Sequence, residues 1–426
     1  MARIRPFRAT IYDTSVRPDL ADVVAPPYDV IGPELQDELY RRDPFNIVRI
    51  ILGKDEGTDR YQRASEYLRD WKARGVLTVV PQPAVYVYRQ QFEHEGRRVQ
   101  RGGFVALLRL DGATRVHPHE VTYDEAKNDR LSLLRTCRAN FSQIYTLYRD
   151  AGHGVARLLD ESKSGDPLLQ VTDQAGISHT VWEVTGAEAL ARLEEAMLDK
   201  EIFIADGHHR FEVANMYAAE MSRDADEAAP YRYTPVLFVD SGDPGLVILP
   251  VHRVISGGCD QEKLLRDLDP FFDIRGLAQL DAAGLPPLLE WMEAAEAGQH
   301  RFGLISSEGI FELALQPGLD LEAALPAGQS APWRELDAAI LHELGVKRCL
   351  GEEVRDMRRI TYVTDAAQAL ELVRSEKGAA AFLVRATNVR QIEAVALAGE
   401  KMPPKSSYFH PKPLSGILNY DHETGL

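Results

Sequence analysis

Cysteine is scarce in this sequence, whose 426 residues include three: Cys137, Cys259 and Cys349. None of them stands in a C-x-x-C pair, which excludes a zinc knuckle or a dithiol redox site built from paired cysteines. Three widely separated thiols are most simply explained as reduced side chains in a cytosol. We therefore expect a cytoplasmic protein whose fold does not depend on disulfide bonds.

The sequence also has fewer basic than acidic residues and lacks long apolar runs. The chain has 49 Lys and Arg against 65 Asp and Glu, a formal net charge of −16. This balance repels a polyanion and disfavours general nucleic-acid binding, so an anionic substrate would need a locally positive pocket. No run approaches the ~20 apolar residues of a membrane span, and no apolar segment follows the basic N-terminus. We expect a soluble protein with no nucleic-acid or membrane partner, and the sequence carries no signal for an oligomeric state.

What the sequence does contain is enough apolar material for a core. Hydrophobic residues make up 45% and charged residues 27% of the chain, as in ordinary globular proteins. At roughly 100–200 residues per domain, the length predicts two or three domains. We predict a mixed α/β fold with an N-terminal mixed α/β segment (1–150), a central domain (151–325) and a C-terminal βαβ-like segment with a basic loop (326–426). An interleaved arrangement of these segments is the alternative.

Local patterns give more detailed expectations. The β-branched residues of 46–52 predict a strand, and residues 152–184 are typical of a small sheet with polar turns. A Pro- and Gly-rich stretch at 316–332 indicates a boundary loop. Residues 362–384 alternate between strand, helix and strand patterns, which predicts a βαβ-like unit.

The strongest candidate for chemistry is residues 204–210, Ile-Ala-Asp-Gly-His-His-Arg. The apolar run 202–205 predicts a buried strand, and a helical pattern follows the block. Gly207 lets the backbone turn sharply, so that the free amide groups in the first turn of the helix face outward and bind anions. Arg210 adds a permanently charged planar group that suits phosphate oxygens. The junction therefore predicts an anion site.

Three titratable residues complete this block. His208 and His209 are suited to donate hydrogen bonds to phosphate or to shuttle a proton near neutral pH. Asp206 is a candidate to hold Mg²⁺, to orient a histidine or to accept a proton. Two other interpretations stay open. One is a helix cap with surface histidines, and the other is a metal site made of these three side chains, which ranks lower because adjacent histidines of one helix do not point at one ion.

A second group of polar residues begins at His119 and Glu120 and continues with Lys127, Asp129 and Arg130. Glu120 is a candidate general base. Lys127 and Arg130 lie one turn apart on a predicted helix and are suited to meet an anion from one side. A solvated helix face is the alternative interpretation of these charges.

Two further groups are basic. His252 and Arg253 form another histidine–arginine pair near a predicted strand, and Lys405 and Ser406 lie in the proline-bounded loop 401–412. A positive loop in an acidic protein favours an anion-facing lid, and a packing clamp is the equal alternative.

Together these blocks resemble the bacterial and archaeal proteins known as domain of unknown function 1015. The resemblance rests on residues 25–31 (Ala-Pro-Pro-Tyr-Asp-Val-Ile), 119–120 with 129–131, 204–210, 252–253 and 402–416. Residues 182–218 are also similar to ParB-like proteins that share a fold with sulfiredoxin, among them the ADP-dependent free-serine kinases. This second resemblance implies a ParB/sulfiredoxin-like core around the strand–block–helix junction.

In those kinases the corresponding block receives nucleotide phosphates, and a carboxylate deprotonates the serine hydroxyl. The resemblance therefore implies that residues 206–210 bind phosphate, and Glu120 is the first candidate for the base. We predict these site residues: for catalysis Glu120, Asp206, His208 and His209; for phosphate Gly207, Arg210, His252, Arg253, Lys405 and Ser406; for substrate Tyr28, His119, Lys127, Asp129 and Arg130.

The leading hypothesis is phosphoryl transfer to or from a small hydroxylated metabolite, with serine or phosphoserine as the best single candidate. A kinase would use ADP or ATP with Mg²⁺, but no G-x-x-x-x-G-K-[ST] motif supports a nucleotide pocket independently. A phosphatase with His208 or His209 as nucleophile or acid fits the same residues. The alternative from another class is a non-catalytic regulatory protein that binds a nucleotide or a phosphorylated metabolite.

Overall fold

A computed structural model describes residues 2–55, 57–222, 226–258, 260–350 and 359–426; Cys259 lies outside the described residues. The chain divides into two compact units. Unit 1 comprises Met1–Pro118, Thr122–Val247 and Pro411–Leu426, and unit 2 comprises His119–Val121 and Ile248–His410. The fold is mixed α/β, as predicted.

The strands, in chain order, are β1 (Ile4–Arg5), β2 (Thr10–Tyr12), β3 (Leu77–Val79), β4 (Val85–His94), β5 (Arg97–Arg109), β6 (Val116–His117), β7 (Ala139–Asn140), β8 (Ile144–Tyr148), β9 (Leu169–Thr172), β10 (Ser178–Val184), β11 (Ile202–Asp206), β12 (Tyr233–Asp240), β13 (Val247–Leu249), β14 (His252–Ile255), β15 (Phe272–Ala278), β16 (Arg301–Ser306), β17 (Gly309–Leu315), β18 (Ile360–Val363), β19 (Ala380–Leu383), β20 (Tyr408–His410) and β21 (Tyr420–Asp421).

The α-helices are α1 (Pro33–Arg42), α2 (Val48–Ile51), α3 (Arg60–Ala73), α4 (Asp124–Cys137), α5 (Gly154–Ser162), α6 (Ala187–Met197), α7 (His208–Met221), α8 (Gln261–Leu268), α9 (Leu285–Glu293), α10 (Leu321–Ala324), α11 (Ala331–Arg334), α12 (Asp337–Ile340), α13 (Lys347–Leu350), α14 (Ala366–Arg374) and α15 (Val389–Leu397). Short 3₁₀ turns lie at Leu20–Asp22, Tyr28–Val30, Pro230–Arg232 and Ala282–Gly284, and a π-helical segment lies at Leu341–Val346.

Unit 1 is built on a mixed sheet in the order β6-β11-β8-β12-β5-β4-β10-β9, with β1 also paired to β5. The β11–β6 and β12–β8 pairs are parallel, and the others are antiparallel. Every residue of β12 is buried, as expected for a central strand with both faces covered. One core cluster joins the sheet to α5 and α6, and a smaller one joins α4 to α7.

Unit 2 has a sheet in the order β15-β17-β16-β19-β14-β18. β14 pairs antiparallel with both β18 and β19, so these two strands run parallel to each other on either side of it. α14 connects them and packs into the core of this unit. The predicted βαβ-like unit is therefore confirmed.

One local prediction was wrong, and another was confirmed only in part, because the sheet predicted within 152–184 is present as the antiparallel pair β9 and β10 but is preceded by a helix. Residues 46–52 form a helical turn, α2, because the side chain of Asn46 accepts a hydrogen bond from Val48 N at 2.9 Å and caps it. The amide of Asn46 also donates to the carbonyl oxygens of Asp22 and Val24, and these contacts override the strand propensity. Residues 152–184 begin with helix α5, whose buried Val155, Leu158 and Leu159 have helical spacing.

The three-segment division stays a prediction, with interleaving as its alternative. The C-terminal segment 411–426 belongs to unit 1, where Tyr420 and Asp421 pair with β7 and Thr10 exchanges backbone hydrogen bonds with Asn419. Such pairing between distant parts of the chain has no local sequence signal. Among the described residues, no helix has the length and apolar character needed to cross a membrane.

Candidate functional site

The junction between β11 and α7 has the predicted strand–turn–helix geometry. Ile202 to Ala205 are buried, and Gly207 adopts φ 95° and ψ 31° before the helix begins at His208. A Cβ atom at Gly207 would lie 2.9–3.0 Å from the guanidinium group of Arg210. Glycine is therefore required both for the left-handed backbone and for the close approach of this arginine. Gly207 is the N-cap of α7, and within the described residues no side chain forms a capping hydrogen bond there.

Asp206 meets a cation at each of its carboxylate oxygens. Arg210 donates to Oδ2 at 2.6 Å, and Lys412 Nζ donates to Oδ1. Lys412 Nζ also lies 3.1 Å from Oδ2 of Asp29, and Arg210 donates a second hydrogen bond to the backbone carbonyl of Gln143. The result is a row of alternating charges that we call the charge row: Arg210, Asp206, Lys412 and Asp29.

The backbone around Lys412 is fixed by buried polar side chains of the sheet. Gln90 donates to the carbonyl oxygen of Lys412 at 3.2 Å, and Arg101 donates to that of Pro411. The amide of Leu414 donates to the hydroxyl of Tyr88 at 3.4 Å. Burial by itself would lower the pKa of Lys412, but the carboxylates of Asp206 and Asp29 outweigh it and raise that pKa above its usual value. Lys412 is therefore a fixed, permanently charged ammonium group.

A cavity of about 50 Å³, which we call the arginine cavity, opens beside the charge row. Its polar lining includes Tyr28, Arg130, Arg210, Ser142 and Thr234, and the described residues that line it include no carboxylate. The space exceeds the roughly 10–15 Å³ that one water molecule requires. The Nε atom of Arg210 is buried and has no hydrogen-bond partner among the described residues. Because an unsatisfied buried donor is costly, this atom indicates where an acceptor would bind.

Arg130 is held in place from several sides. Its guanidinium group lies 4.0 Å from the ring centroid of Tyr28. It donates to the carbonyl oxygen of Ile51 at 2.6 Å and to Oδ2 of Asp129 at 2.7 Å. Burial raises the pKa of Tyr28, with Arg130 acting in the opposite direction, so its phenol stays protonated at neutral pH. Tyr28, Asp129 and Arg130 are thus brought together, and Asp129 supports the arginine from outside the cavity.

The two histidines of the block have different surroundings. His208 is 2% exposed, and His209 stacks on the ring of Tyr123 with a centroid separation of 6.1 Å. The Nε2 atom of His209 accepts a hydrogen bond of 3.0 Å from the backbone amide of Tyr123. An accepting nitrogen carries no proton, so proton transfer or nucleophilic attack at Nε2 would require this hydrogen bond to break.

Lys127 makes different contacts from Arg130, although both lie on α4. Its ammonium group lies 2.9 Å from Asp124 and 3.5 Å from Glu212. This residue does not line the arginine cavity. The predicted pairing of Lys127 with Arg130 on one anion stays a prediction.

The other predicted site residues belong to unit 2. His119 is buried, its Nε2 lies 3.1 Å from the hydroxyl of Ser407, and its carbonyl oxygen accepts from Met402 N at 2.8 Å. Glu120, the predicted base, follows it and is partly exposed. The hydroxyl of Ser406 donates to the carbonyl oxygen of Pro403 at 2.6 Å. In unit 2 these contacts tie the basic loop to residue 119 and to itself.

His252 and Arg253 begin strand β14 and are each 2% exposed. His252 Nδ1 accepts from the amide of Val384 at 3.3 Å, and Arg253 donates to the carbonyl oxygens of Val251 and Lys405. Burial, aided by the charge of Arg253, lowers the pKa of His252 to about 4. Burial also lowers the pKa of Arg253 to about 10. Lys405 adopts a left-handed backbone with φ 55°.

The residues of the charge row do not fit a magnesium ion held by Asp206. Both of its oxygens already contact cations, and the described residues contain no group of three or more His, Cys, Asp and Glu side chains placed to hold a metal. A magnesium ion at this carboxylate would have to displace Lys412 or Arg210.

Asp29 and Lys412 lie in segments that the sequence singled out, 25–31 and 401–412, but neither these two residues nor Gln143 was assigned a role. The signal available for Lys412 was its place at the end of a basic, proline-bounded loop. Asp29 and Lys412 are 383 positions apart, and only folding brings them together.

Several solved structures are similar to this chain at TM-scores below 0.4. A conserved hypothetical protein from Pyrococcus furiosus is 14% identical, with 75% of this chain and 96% of that chain covered at a TM-score of 0.38. A free serine kinase in complex with AMP is 14% identical, with 72% of this chain and 86% of that chain covered at a TM-score of 0.37. A C-terminally truncated SbnI from Staphylococcus aureus is 10% identical, with 74% of this chain and 86% of that chain covered at a TM-score of 0.35. The comparison with curated proteins found no match.

The family comparison covers most of the chain. The model for "Protein of unknown function (DUF1015)" matches residues 4–339, which include the β11–α7 junction, Tyr28, Arg130 and Arg210. Residues 402–416, with Lys412, lie beyond the matched range. The chain belongs to the DUF1015 family.

Proposed function

We propose that unit 1 binds a phosphorylated small molecule in the arginine cavity and transfers its phosphoryl group. One observation carries the proposal: Arg130 and Arg210 line a single cavity that has no carboxylate among its described lining residues. Two guanidinium groups on one small space favour an anion with several oxygen atoms. In a chain of net charge −16, such a pocket is what an anionic ligand requires.

The contacts suggest a role for each residue. Arg210 would grip phosphate through its unsatisfied Nε, helped by the amide groups that follow Gly207. Arg130 would bind the same group from its position on the ring of Tyr28. Lys412 would add a third positive charge through the charge row. Catalysis of phosphoryl transfer relies mainly on such positioning and charge neutralisation.

The acceptor we propose is the hydroxyl group of a small metabolite, with serine as the first candidate. The hydroxyl oxygen would attack phosphorus, its proton would pass to a carboxylate, and the bond to the leaving nucleotide oxygen would break. The assignment of Glu120 as this base stays a prediction from the sequence. ADP or ATP is the proposed donor, and phosphoserine is the proposed product, or the substrate of the reverse reaction. No step of this proposal passes through a protein-held metal ion.

The test is ³¹P NMR on the purified chain with serine plus ADP or ATP, and with phosphoserine with or without ADP. Phosphoserine formed from the nucleotide would establish a kinase, and free phosphate from phosphoserine alone would establish a phosphatase. Arg210→Met should lose either activity, whereas Arg266→Met, at an exposed arginine paired only with Glu262, should keep it. Wild-type protein that turns over none of these mixtures would contradict the proposed reaction.

A binding protein without turnover is the second candidate. It is favoured by the engagement of both Asp206 oxygens and of His209 Nε2, which leaves these groups committed to structural contacts. Calorimetric titration with phosphoserine and with ADP distinguishes the two. His209→Ala should reduce turnover more than affinity in an enzyme, whereas a binding protein shows saturable affinity and no turnover in the unaltered chain.

A further inference from the structure

Unit 1 contains a second cavity that none of the predicted site residues lines. Its volume is about 400 Å³, within the range of roughly 300–1,000 Å³ found for small-molecule sites. Its polar lining includes Tyr148, His153, Asp240 and Asp243, and its apolar lining includes Val87, Ala156 and Leu159. We call it the aspartate cavity.

Both aspartates accept hydrogen bonds from backbone amide groups, and Asp240 also contacts a histidine. Asp240 Oδ1 accepts from Gly242 N at 3.0 Å, and its Oδ2 lies 2.6 Å from Nδ1 of His153. Asp243 accepts from Gly102 N at 3.1 Å and from Gly245 N at 2.7 Å. Among the described residues, neither carboxylate forms an ion pair with a lysine or an arginine. Burial raises the pKa of Asp243, and the amide groups of Gly102 and Gly245 and the charge of Arg101 act in the opposite direction.

The one arginine of the lining does not neutralise this end of the cavity. The guanidinium group of Arg89 pairs with Asp160 and lies 5.4 Å from the ring centroid of Trp182. Asp160 also pairs with Lys163 at 2.8 Å, so its charge is already compensated. The acidic end of the cavity therefore lies at Asp240 and Asp243, with His153 beside Asp240 and with Arg101, which is not a lining residue, acting on Asp243.

An independent feature of the same cavity is the hydroxyl group of Tyr148. This residue is 2% exposed and lines the cavity, yet its hydroxyl has no hydrogen-bond partner among the described residues. The hydroxyl is not among the sealed unsatisfied atoms of the core, so it is open to the cavity, where it is available to a ligand beside two carboxylates. His153 is oriented by Asp240, and its ring packs so closely that a Cβ at Gly242 would lie 3.3 Å from Cε1.

We propose that the aspartate cavity is a second binding site, for a small aliphatic molecule that carries a primary ammonium group. An ammonium group has three N–H donors, which matches Asp240, Asp243 and the phenol oxygen of Tyr148. The aliphatic part would pack on Val87, Ala156 and Leu159. The described residues contain no metal-holding cluster, and the volume exceeds what a bare cation would fill. This inference does not rest on the proposed phosphoryl transfer.

The test uses n-butylamine as the probe and n-butanol as a neutral molecule of the same length. Amide NMR of the isotope-labelled full chain should show saturable shifts at Gly102, Gly242 and Gly245 with n-butylamine, and none with n-butanol. Gly207, at the β11–α7 junction, should not shift. Absence of saturable shifts with n-butylamine, or equal shifts with n-butanol, would overturn the proposal without any variant.

Variants then locate the ammonium group. Asp243→Asn should weaken the binding of n-butylamine about tenfold or more, as expected for loss of a charge-assisted hydrogen bond. Tyr148→Phe should weaken it by a smaller factor with little change in folding. Asp160→Asn is the matched control, because that carboxylate is compensated by Arg89 and Lys163. Unchanged affinity in folded Asp243→Asn and in Tyr148→Phe would contradict the site.

Discussion

Two histidine–arginine pairs with similar sequences have opposite environments in this protein. His209 and Arg210 follow a strand and begin a helix, where Arg210 lines a cavity with an unsatisfied nitrogen. His252 and Arg253 lie inside a strand, are almost fully buried, and donate or accept hydrogen bonds within the backbone of unit 2. The position of the pair relative to the strand end therefore separates a candidate binding group from a structural one.

The difference has an electrostatic cause. At the end of β11 the backbone leaves the sheet, and the first turn of α7 presents amide groups that favour an anion. Within β14 the side chains must face a covered sheet surface, where burial lowers the pKa of His252 to about 4 and that of Arg253 to about 10. The first environment is suited to an anion, and the second disfavours any charge that lacks a partner.

The largest expected effect is on stability at Arg253. Arg253→Ala removes a large buried side chain and leaves carbonyl groups unsatisfied, so unit 2 should lose about 3 kcal/mol of unfolding free energy. Arg253→Met keeps most of the volume and should lose about 1 kcal/mol. Hydrogen exchange in peptides that cover β14 measures both. If Arg253→Ala instead kept this protection and abolished phosphate binding, the two arginines would have the same role.

Replacing Arg210 should reduce ligand affinity and leave the stability of unit 2 unchanged. Arg210→Met should weaken binding of a phosphorylated ligand about tenfold to a hundredfold, because a charge-assisted contact is lost. Hydrogen-exchange protection of unit 2 should be unchanged. Titration calorimetry with phosphoserine measures the affinity, and Arg266→Met serves as the exposed control. Equal affinity in the two variants would show that Arg210 does not bind the ligand.

Acid should destabilise unit 2 through His252. Its folded pKa of about 4 lies below the ordinary value of about 6.5, so between these values the unfolded chain binds the proton more readily. The contribution of His252 to the free energy of unfolding is therefore fully present above pH 6.5 and decreases as the pH falls towards 4. At pH 5 the loss from this residue is about 2 kcal/mol.

His252→Asn keeps a hydrogen-bond acceptor but removes the titration, so the loss between pH 7 and pH 5 should be smaller in this variant. Part of the pH dependence should remain, because burial also lowers the pKa of His342 to about 4 in the same unit. Urea unfolding at the two pH values measures the difference. An identical pH dependence in the variant would show that His252 is not the titrating group.

The smallest effect is expected at Gly207. Gly207→Ala forces a left-handed residue and should cost about 1–2 kcal/mol of stability. It should also weaken phosphate binding, because the new methyl group would push against the guanidinium of Arg210. Gly298→Ala is the matched control, since Gly298 has φ 81° but no atom within 4 Å of the added Cβ. Comparable ligand affinity in both variants would show that the close approach of Arg210 has no role in binding.

Local sequence patterns predicted much of the fold. The apolar run before Asp206 and the helical spacing after it predicted the β11–α7 junction correctly, and the alternation at 362–384 predicted the β18–α14–β19 unit. The pattern at 46–52 misled because the buried contacts of Asn46, 22 to 24 residues away in sequence, outweigh β propensity. The roles assigned to the residues of the block stay predictions, because the structure shows their positions and not their ligands.

Most of the local elements, the acidic character of the chain and the strand–helix turn follow from composition and from neighbours a few positions away in the sequence. Folding alone brings together residues that are far apart in the chain: Lys412 with Asp206 and Asp29, Arg130 with Tyr28, and Asp240, Asp243 and Tyr148 in the lining of one cavity. The reason is physical. The pairing of distant strands and the burial of side chains set the local dielectric and the available partners, and these decide whether a charged group binds a ligand or supports the core.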